Sequence, residues 1–176
     1  MTRAARDRTL ILLRHAKAEQ TLGMPDHDRE LTKRGRRDAA AAGRWLHEHG
    51  IGVDEVLCST AERTRQTCEE VWRAGCPEAD VHHDRRIYNA SAEALLAVVR
   101  EADDDADVVM LVGHAPGVPA LTELLADGEG STEGHHALAQ GFPTCGLAVL
   151  HYAGRWADLE VGDASLERFH VARDEA

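Results

Sequence analysis

Thr9-Leu10-Ile11-Leu12-Leu13-Arg14-His15-Ala16 decides the reading of this chain. A short, β-rich apolar run stops abruptly at a cation and an imidazole. Such a run reads as a buried strand. An open α/β sheet presents its ligand site beyond the carboxyl ends of its strands, so Arg14 and His15 stand where a site would be expected.

The same arrangement returns twice. Asp54-Glu55-Val56-Leu57-Cys58 is a second short strand, leading into Ser59-Thr60-Ala61-Glu62-Arg63. Ser59 or Thr60 is expected to cap the following helix, with Arg63 in its first turn. A third strand, Asp107 to Val112, ends in Gly113-His114-Ala115-Pro116-Gly117. Gly113 permits a sharp backbone turn, and Pro116 suits the first turn of a helix. Three strand ends therefore deliver Arg14, His15, Arg63 and His114 to one edge, together with helix N-termini that favour anions. Each residue alone could be a solvated surface group; the set of four points to phosphate chemistry.

Segments along the chain resemble the histidine phosphatase superfamily, the group that includes phosphoglycerate mutases and acid phosphatases. They are LILLRHAKAE at 10–19, DHDRELTKRG at 26–35, CSTAERTRQT at 58–67, IYNAS at 87–91, VVMLVGHAPG at 108–117 and FPTCGLAVL at 142–150. Within it the chain is most similar to the SixA-like phosphohistidine phosphatases, which are single compact domains. The resemblance implies that His15 is the phosphoryl-accepting nucleophile and that Arg14, Arg63, His114 and the Ala115 backbone hold the phosphate. Arg29 enters as a substrate contact on the same basis; its other reading is an exposed ion pair with Asp26, Asp28 or Glu30. Arg63 could likewise pair with Glu62, Glu69 or Glu70 on a helix surface, a role better suited to Arg65.

The chemistry agrees with these residue types. A neutral imidazole is a good nucleophile, and a covalent intermediate splits transfer into two easier steps. Guanidinium groups match phosphate with a rigid, permanently charged fork. Arg14 and Arg63 should also depress the His15 pKa below its ordinary value of about 6.5, while His114 could donate a hydrogen bond if protonated. One departure stands out. The mutases and acid phosphatases supply a carboxylic acid to the leaving oxygen, and the corresponding position here is Arg86; SixA-like relatives lack that acid too. An imidazole leaving group needs less help, since its nitrogen is readily protonated. Asp84 is the nearest stand-in and reads better as a surface aspartate, and Glu93 as a first-turn carboxylate complementing the helix dipole.

Composition sets the remaining expectations. The 176 residues suit one domain spanning 1–176, with a core at about 9–162 and short polar tails. The predicted fold is α/β: a three-layer sandwich with a mostly parallel central sheet, helices on both faces and a C-terminal edge hairpin. That hairpin is read as Gly146 to Tyr152 against Trp156 to Val161, with residues 127–141 a mobile surface loop and Phe169 onwards frayed. No apolar stretch approaches the roughly 18–20 residues that cross a bilayer, and the N-terminus lacks the apolar core of a signal peptide, so a cytoplasmic protein with no membrane partner is expected. A net charge of -11 disfavours nucleic acid. The four cysteines lack Cys-x-x-Cys spacing and read as free thiols. His47/His49, His82/His83 and His135/His136 are weak ligand sets, so no metal and no cofactor is expected.

The sequence therefore points to a phosphatase acting on phosphohistidine in a protein partner. The alternatives are a small-molecule phosphomonoesterase on the same pocket, or a catalytically silent phosphate-binding regulator.

Overall fold

The computed structural model describes residues 5–175. Seven strands form one sheet in the order β3-β2-β4-β1-β6-β7-β5. The strands are β1 (Asp7–Arg14), β2 (Glu55–Cys58), β3 (Asp80–His83), β4 (Val108–Gly113), β5 (Ala126–Gly130), β6 (Gly146–Ala153) and β7 (Ala164–Val171). β6 runs antiparallel to both neighbours, β1 and β7, while the remaining pairings are parallel. The α/β sandwich, largely parallel with a C-terminal antiparallel hairpin, is thus the fold.

Strand periodicity divides the core into two layers. Leu10 and Leu12 of β1, Leu57 of β2, and Val109 and Leu111 of β4 face one side. There they meet α3 (Ala92–Val99) and α4 (Gly117–Leu125) through Leu95, Val99, Val118 and Leu121. Ile11, Leu13, Val56, Met110 and Val112 face the other side, against α1 (Lys33–Glu48) and α2 (Glu62–Gly75). These central strands are covered on both faces, which is why they read as continuous apolar runs rather than as alternation. Gly43 and Gly75 let α1 and α2 touch backbone to backbone: a Cβ on Gly75 would lie 2.0 Å from the Gly43 carbonyl oxygen.

Register aligns the site-bearing strand ends. Arg14 pairs with Gly113, and Cys58 with Val112, so β1, β4 and β2 terminate side by side. Side-chain hydroxyls cap α1 and α3. Thr32 accepts the Gly35 N–H at 2.9 Å to start α1, and Ser91 accepts that of Ala94 to start α3. Gly35 lies inside the first turn of α1, where a Cβ would meet the Lys17 carbonyl oxygen at 2.2 Å.

Three expectations need correction. The hairpin partner of β6 is Ala164–Val171, not 156–161; Trp156–Asp158 is a 3-10 turn whose buried indole donates to the Ala106 carbonyl at 2.8 Å. The core therefore reaches past residue 162, and among the described residues 169–174 are not frayed. Ala172 is fully buried, and the Asp174 N–H donates to Asp38 Oδ1 at 2.9 Å. Residues 127–141 are not a loop either. They form β5 and α5 (Thr132–Ala139), the latter capped by Ser131, which accepts the Gly134 N–H. The polar N-terminal segment falls partly outside the described residues, but Asp7 and Arg8 already belong to β1, and Arg8 is buried against the carbonyls of Asp104, Ala106 and Gly154.

Candidate active site

The ends of β1, β2 and β4 open into a cleft of about 400 Å³. Its walls carry Arg14, His15, Arg29, Arg63, His114 and Ala115, the residues expected to bind or attack the phosphate, together with Lys17, Ala18, Gln20, Asn89 and Thr144.

His15 follows the last residue of β1 and is almost wholly buried. Its Nδ1 lies 2.7 Å from the Ala16 carbonyl oxygen. A carbonyl can only accept, so Nδ1 carries the proton and Nε2 keeps its lone pair, the state a nucleophile requires. The His15 pKa is pushed down to about 4, first by burial and then by the Arg63, Arg14 and Arg29 charges. Sequence reasoning anticipated the direction but assigned it to the arginines; desolvation is the larger cause.

His114 stands across the cleft, its ring centroid 5.3 Å from that of His15. Burial, then the neighbouring His15 and Arg63, push its pKa down to about 3. It is therefore neutral near pH 7, so a hydrogen bond donated by a protonated His114 is confined to acid solution. Its Nε2 lies 2.8 Å from Ser59 Oγ, which also accepts the Ala61 N–H. Ser59 can donate its O–H to Nε2 while accepting the Ala61 N–H, an arrangement that puts the His114 proton on Nδ1. A neutral imidazole then still presents a donor. Ser59 was expected as a helix cap; the cap position is Ala61, and the freed hydroxyl bonds the His114 ring instead.

The two central arginines are held differently. Arg14 donates Nη1 to the Phe142 carbonyl oxygen at 2.9 Å. Arg63, on the first turn of α2, donates Nη1 to the Asp26 carbonyl oxygen at 2.7 Å and Nη2 to Asp26 Oδ2 at 3.0 Å. Its partner is thus Asp26, not Glu62, Glu69 or Glu70. Asp26 also accepts Arg29 Nη1 at 2.9 Å and the Tyr88 hydroxyl, and these donors hold its carboxyl far below the ordinary range. Both readings of Arg29 are therefore realised, since it pairs with Asp26 and lines the cleft.

Among the described residues, four buried side-chain nitrogens or oxygens lack a hydrogen-bond partner. Three belong to the cleft: Arg14 Nε, Arg63 Nε and His114 Nδ1. Each is a donor in the states deduced above. Buried donors without acceptors are costly, and an oxyanion in the cleft would offer acceptors to donors of this kind. No carboxylate lines the cleft. Asp84 instead lies in a separate groove, engaged by Arg86, which also reaches Glu101. No group of three or more His, Cys, Asp or Glu side chains suited to a metal is found among the described residues. Of the histidines weighed as ligands, His49 stacks on Trp45, with ring centroids 4.2 Å apart.

The described helices include none long and apolar enough to cross a membrane. Comparison with known proteins agrees with the geometry. The family model of the histidine phosphatase superfamily, branch 1, matches residues 10–91. A candidate phosphohistidine phosphatase SixA from Nakamurella multipartitia is 38% identical, with a TM-score of 0.83 over 97% of this chain and 99% of that one. The chain belongs to the histidine phosphatase superfamily. An uncharacterised protein of Mycobacterium tuberculosis is 40% identical over 162 residues, covering 92% of this chain and all of the relative. The protein histidine phosphatase SixA in complex with tungstate shares the fold at a TM-score of 0.75 and 19% identity, over 93% of this chain and 96% of that one. In this superfamily member, the matched segment contains Arg14, His15 and Arg63, whereas His114 lies beyond it.

The buried histidines predict the acid behaviour of the cleft. An unprotonated His15 is needed for attack, and its lowered pKa keeps that form populated through mildly acid solution. NMR titration of the His15 ring in the free protein should give a midpoint near 4, with the acid limb of kcat/KM following it. A midpoint at or above about 6.5 would contradict the burial and charge described here.

Proposed function

We propose that this protein is a phosphatase that hydrolyses the P–N bond of phosphohistidine in a partner protein. His15 Nε2 attacks phosphorus, the N–P bond of the substrate breaks, and its electron pair leaves with the substrate imidazole, which is protonated on its other nitrogen and so departs neutral. A water molecule then attacks phospho-His15, returning the free imidazole and releasing inorganic phosphate. Arg14, Arg63 and the Nδ1–H of His114 stabilise charge on the equatorial oxygens, with Arg29 and the Ala115 backbone at the margin.

The observation that carries this reading is a cleft lined by four cations, Arg14, Lys17, Arg29 and Arg63, and by no carboxylic acid. Asp26, bonded behind the arginines, is held ionised and so cannot protonate a leaving alkoxide. A poor leaving group such as an alkoxide needs that proton, whereas imidazole does not. A protein substrate also accords with Leu22 and Met24, exposed on the segment that joins cleft residue Gln20 to Asp26. The strongly negative chain would favour a partner with basic residues around its phosphate.

A substrate panel tests the assignment. Phosphohistidine and phosphoramidate should be cleaved with kcat/KM about a hundredfold or more above that for alkyl phosphate esters, the range a general acid contributes. Equal or faster cleavage of a sugar phosphate would overturn the phosphohistidine reading in favour of a small-molecule phosphomonoesterase. Binding of phosphate without turnover of any substrate would indicate a silent regulator.

A further inference from the structure

Asp26 occupies an unusual place beside the cleft. It does not line the cavity, yet its side chain and carbonyl take both terminal nitrogens of Arg63 and its carboxylate takes one nitrogen of Arg29. Among the described residues it is the carboxylate that forms salt bridges with cations of the cleft wall; Arg14 is bonded to a backbone carbonyl instead. Tyr88 supplies a third side-chain partner and lies edge-on to the His114 ring at 5.5 Å. Asp26 is nevertheless half exposed, at 51% for its side chain, so packing does not explain the convergence of donors on it.

The consequence concerns anion affinity. Four cations around one oxyanion attract the product as strongly as the substrate phosphoryl group, and uniform binding of that kind does not speed turnover. A fixed negative charge on Arg63 and Arg29 reduces the formal charge of the set from four to three. It also takes one N–H from each Nη of Arg63, while the buried Nε has no partner.

We infer that Asp26 is a positioning residue that sets the affinity of the cleft for inorganic phosphate, holding Arg63 and Arg29 so that the product is released. The inference rests on the reading of the cleft as a phosphoryl-transfer site. A simple scaffold role makes the opposite prediction. If Asp26 only held Arg63 in place, removing its charge would loosen the guanidinium and weaken phosphate binding. If it tunes the cleft charge, removal would strengthen binding.

Calorimetric titration of the full-length protein with inorganic phosphate at low salt separates the two. Asp26→Asn should bind phosphate about tenfold more tightly than wild type, with the gain shrinking as salt is raised. Both kcat and KM should fall in that variant as release becomes limiting. Asp26→Glu, which retains the charge, should restore near-wild-type affinity. Tyr88→Phe removes a neutral donor and should change affinity by less than about threefold. Equal or weaker phosphate binding by Asp26→Asn would overturn the inference while leaving the phosphatase reading intact. Failure of the wild-type protein to bind millimolar phosphate would instead overturn the phosphoryl-transfer reading, and this inference with it.

Discussion

His15→Ala is expected to abolish both turnover and covalent labelling, with kcat falling by about four to six orders of magnitude, as when the nucleophile of a covalent mechanism is removed. The expectation rests on the state of the ring. Its Nδ1 proton is tied to the Ala16 carbonyl, and its low pKa leaves Nε2 unprotonated. No neighbouring group offers a substitute. Ser59 is committed to His114, and the Cys58 thiol is buried with its pKa raised well above the ordinary value, largely by its contact with Cys68 and by desolvation. Rapid quenching with a labelled phosphoramidate should trap phosphate on His15 in wild type, in a linkage labile to acid and stable to alkali. The fold should survive, because the side-chain bond of His15 reaches only the adjacent residue, at the end of a strand. Circular dichroism and the retained binding of inorganic phosphate would verify this. Label on Ser59, or unchanged turnover in the variant, would refute nucleophilic attack by His15.

Much of this site was legible because its residues lie where strands end. β1, β2 and β4 are short apolar runs with obvious stops, and the parallel register brings those stops together. Arg14, His15, Arg63 and His114 therefore group together on sequence grounds alone. What stayed hidden was the identity of their partners. Asp26 is thirty-seven positions from Arg63 and sits in a polar segment with Asp28, Glu30 and Arg29, where local ion pairs look equally plausible. Ser59 has the ordinary look of a helix cap; only the approach of β4 beside β2 shows that its hydroxyl serves His114.

The C-terminal misreadings have a different origin. In β7 the sequence Ala-Ser-Leu-Glu-Arg-Phe-His-Val mixes charge with apolar residues, and a register shift against β6 interrupts its alternation. Only tertiary pairing reveals it as a strand. Trp156 and Leu159 supply the apolar character that suggested a strand at 156–161, yet both are buried by a turn that packs on the core. Residues 127–141 read as a loop because glycine, serine and histidine obscured the helix that docks on β7.

Arg63→Ala should slow phosphorylation of His15 by about two to three orders of magnitude, the cost of removing one preorganised donor from a transition state that gathers negative charge. The guanidinium side chain is only 6% exposed, so its charge acts with little screening by solvent. Unlike His15→Ala, this variant keeps a competent nucleophile, so label should still accumulate on His15, more slowly. Arg63→Lys should recover little, since a single ammonium on a flexible stem lacks the planar fork that meets the two Asp26 acceptors from separate nitrogens and leaves Nε for the phosphoryl group. The fold should tolerate the change because Asp26 is half exposed and keeps Arg29 and Tyr88 as partners. Arg65→Ala, two positions along α2 and outside the cleft wall, is the matched control and should leave the rate within about twofold. Equal losses in the two variants would mean that helix stability, not charge at the cleft, governs the rate. A loss confined to Arg63, paired with weaker phosphate binding there and tighter binding in Asp26→Asn, would place the electrostatic work of the site on that single guanidinium and its carboxylate.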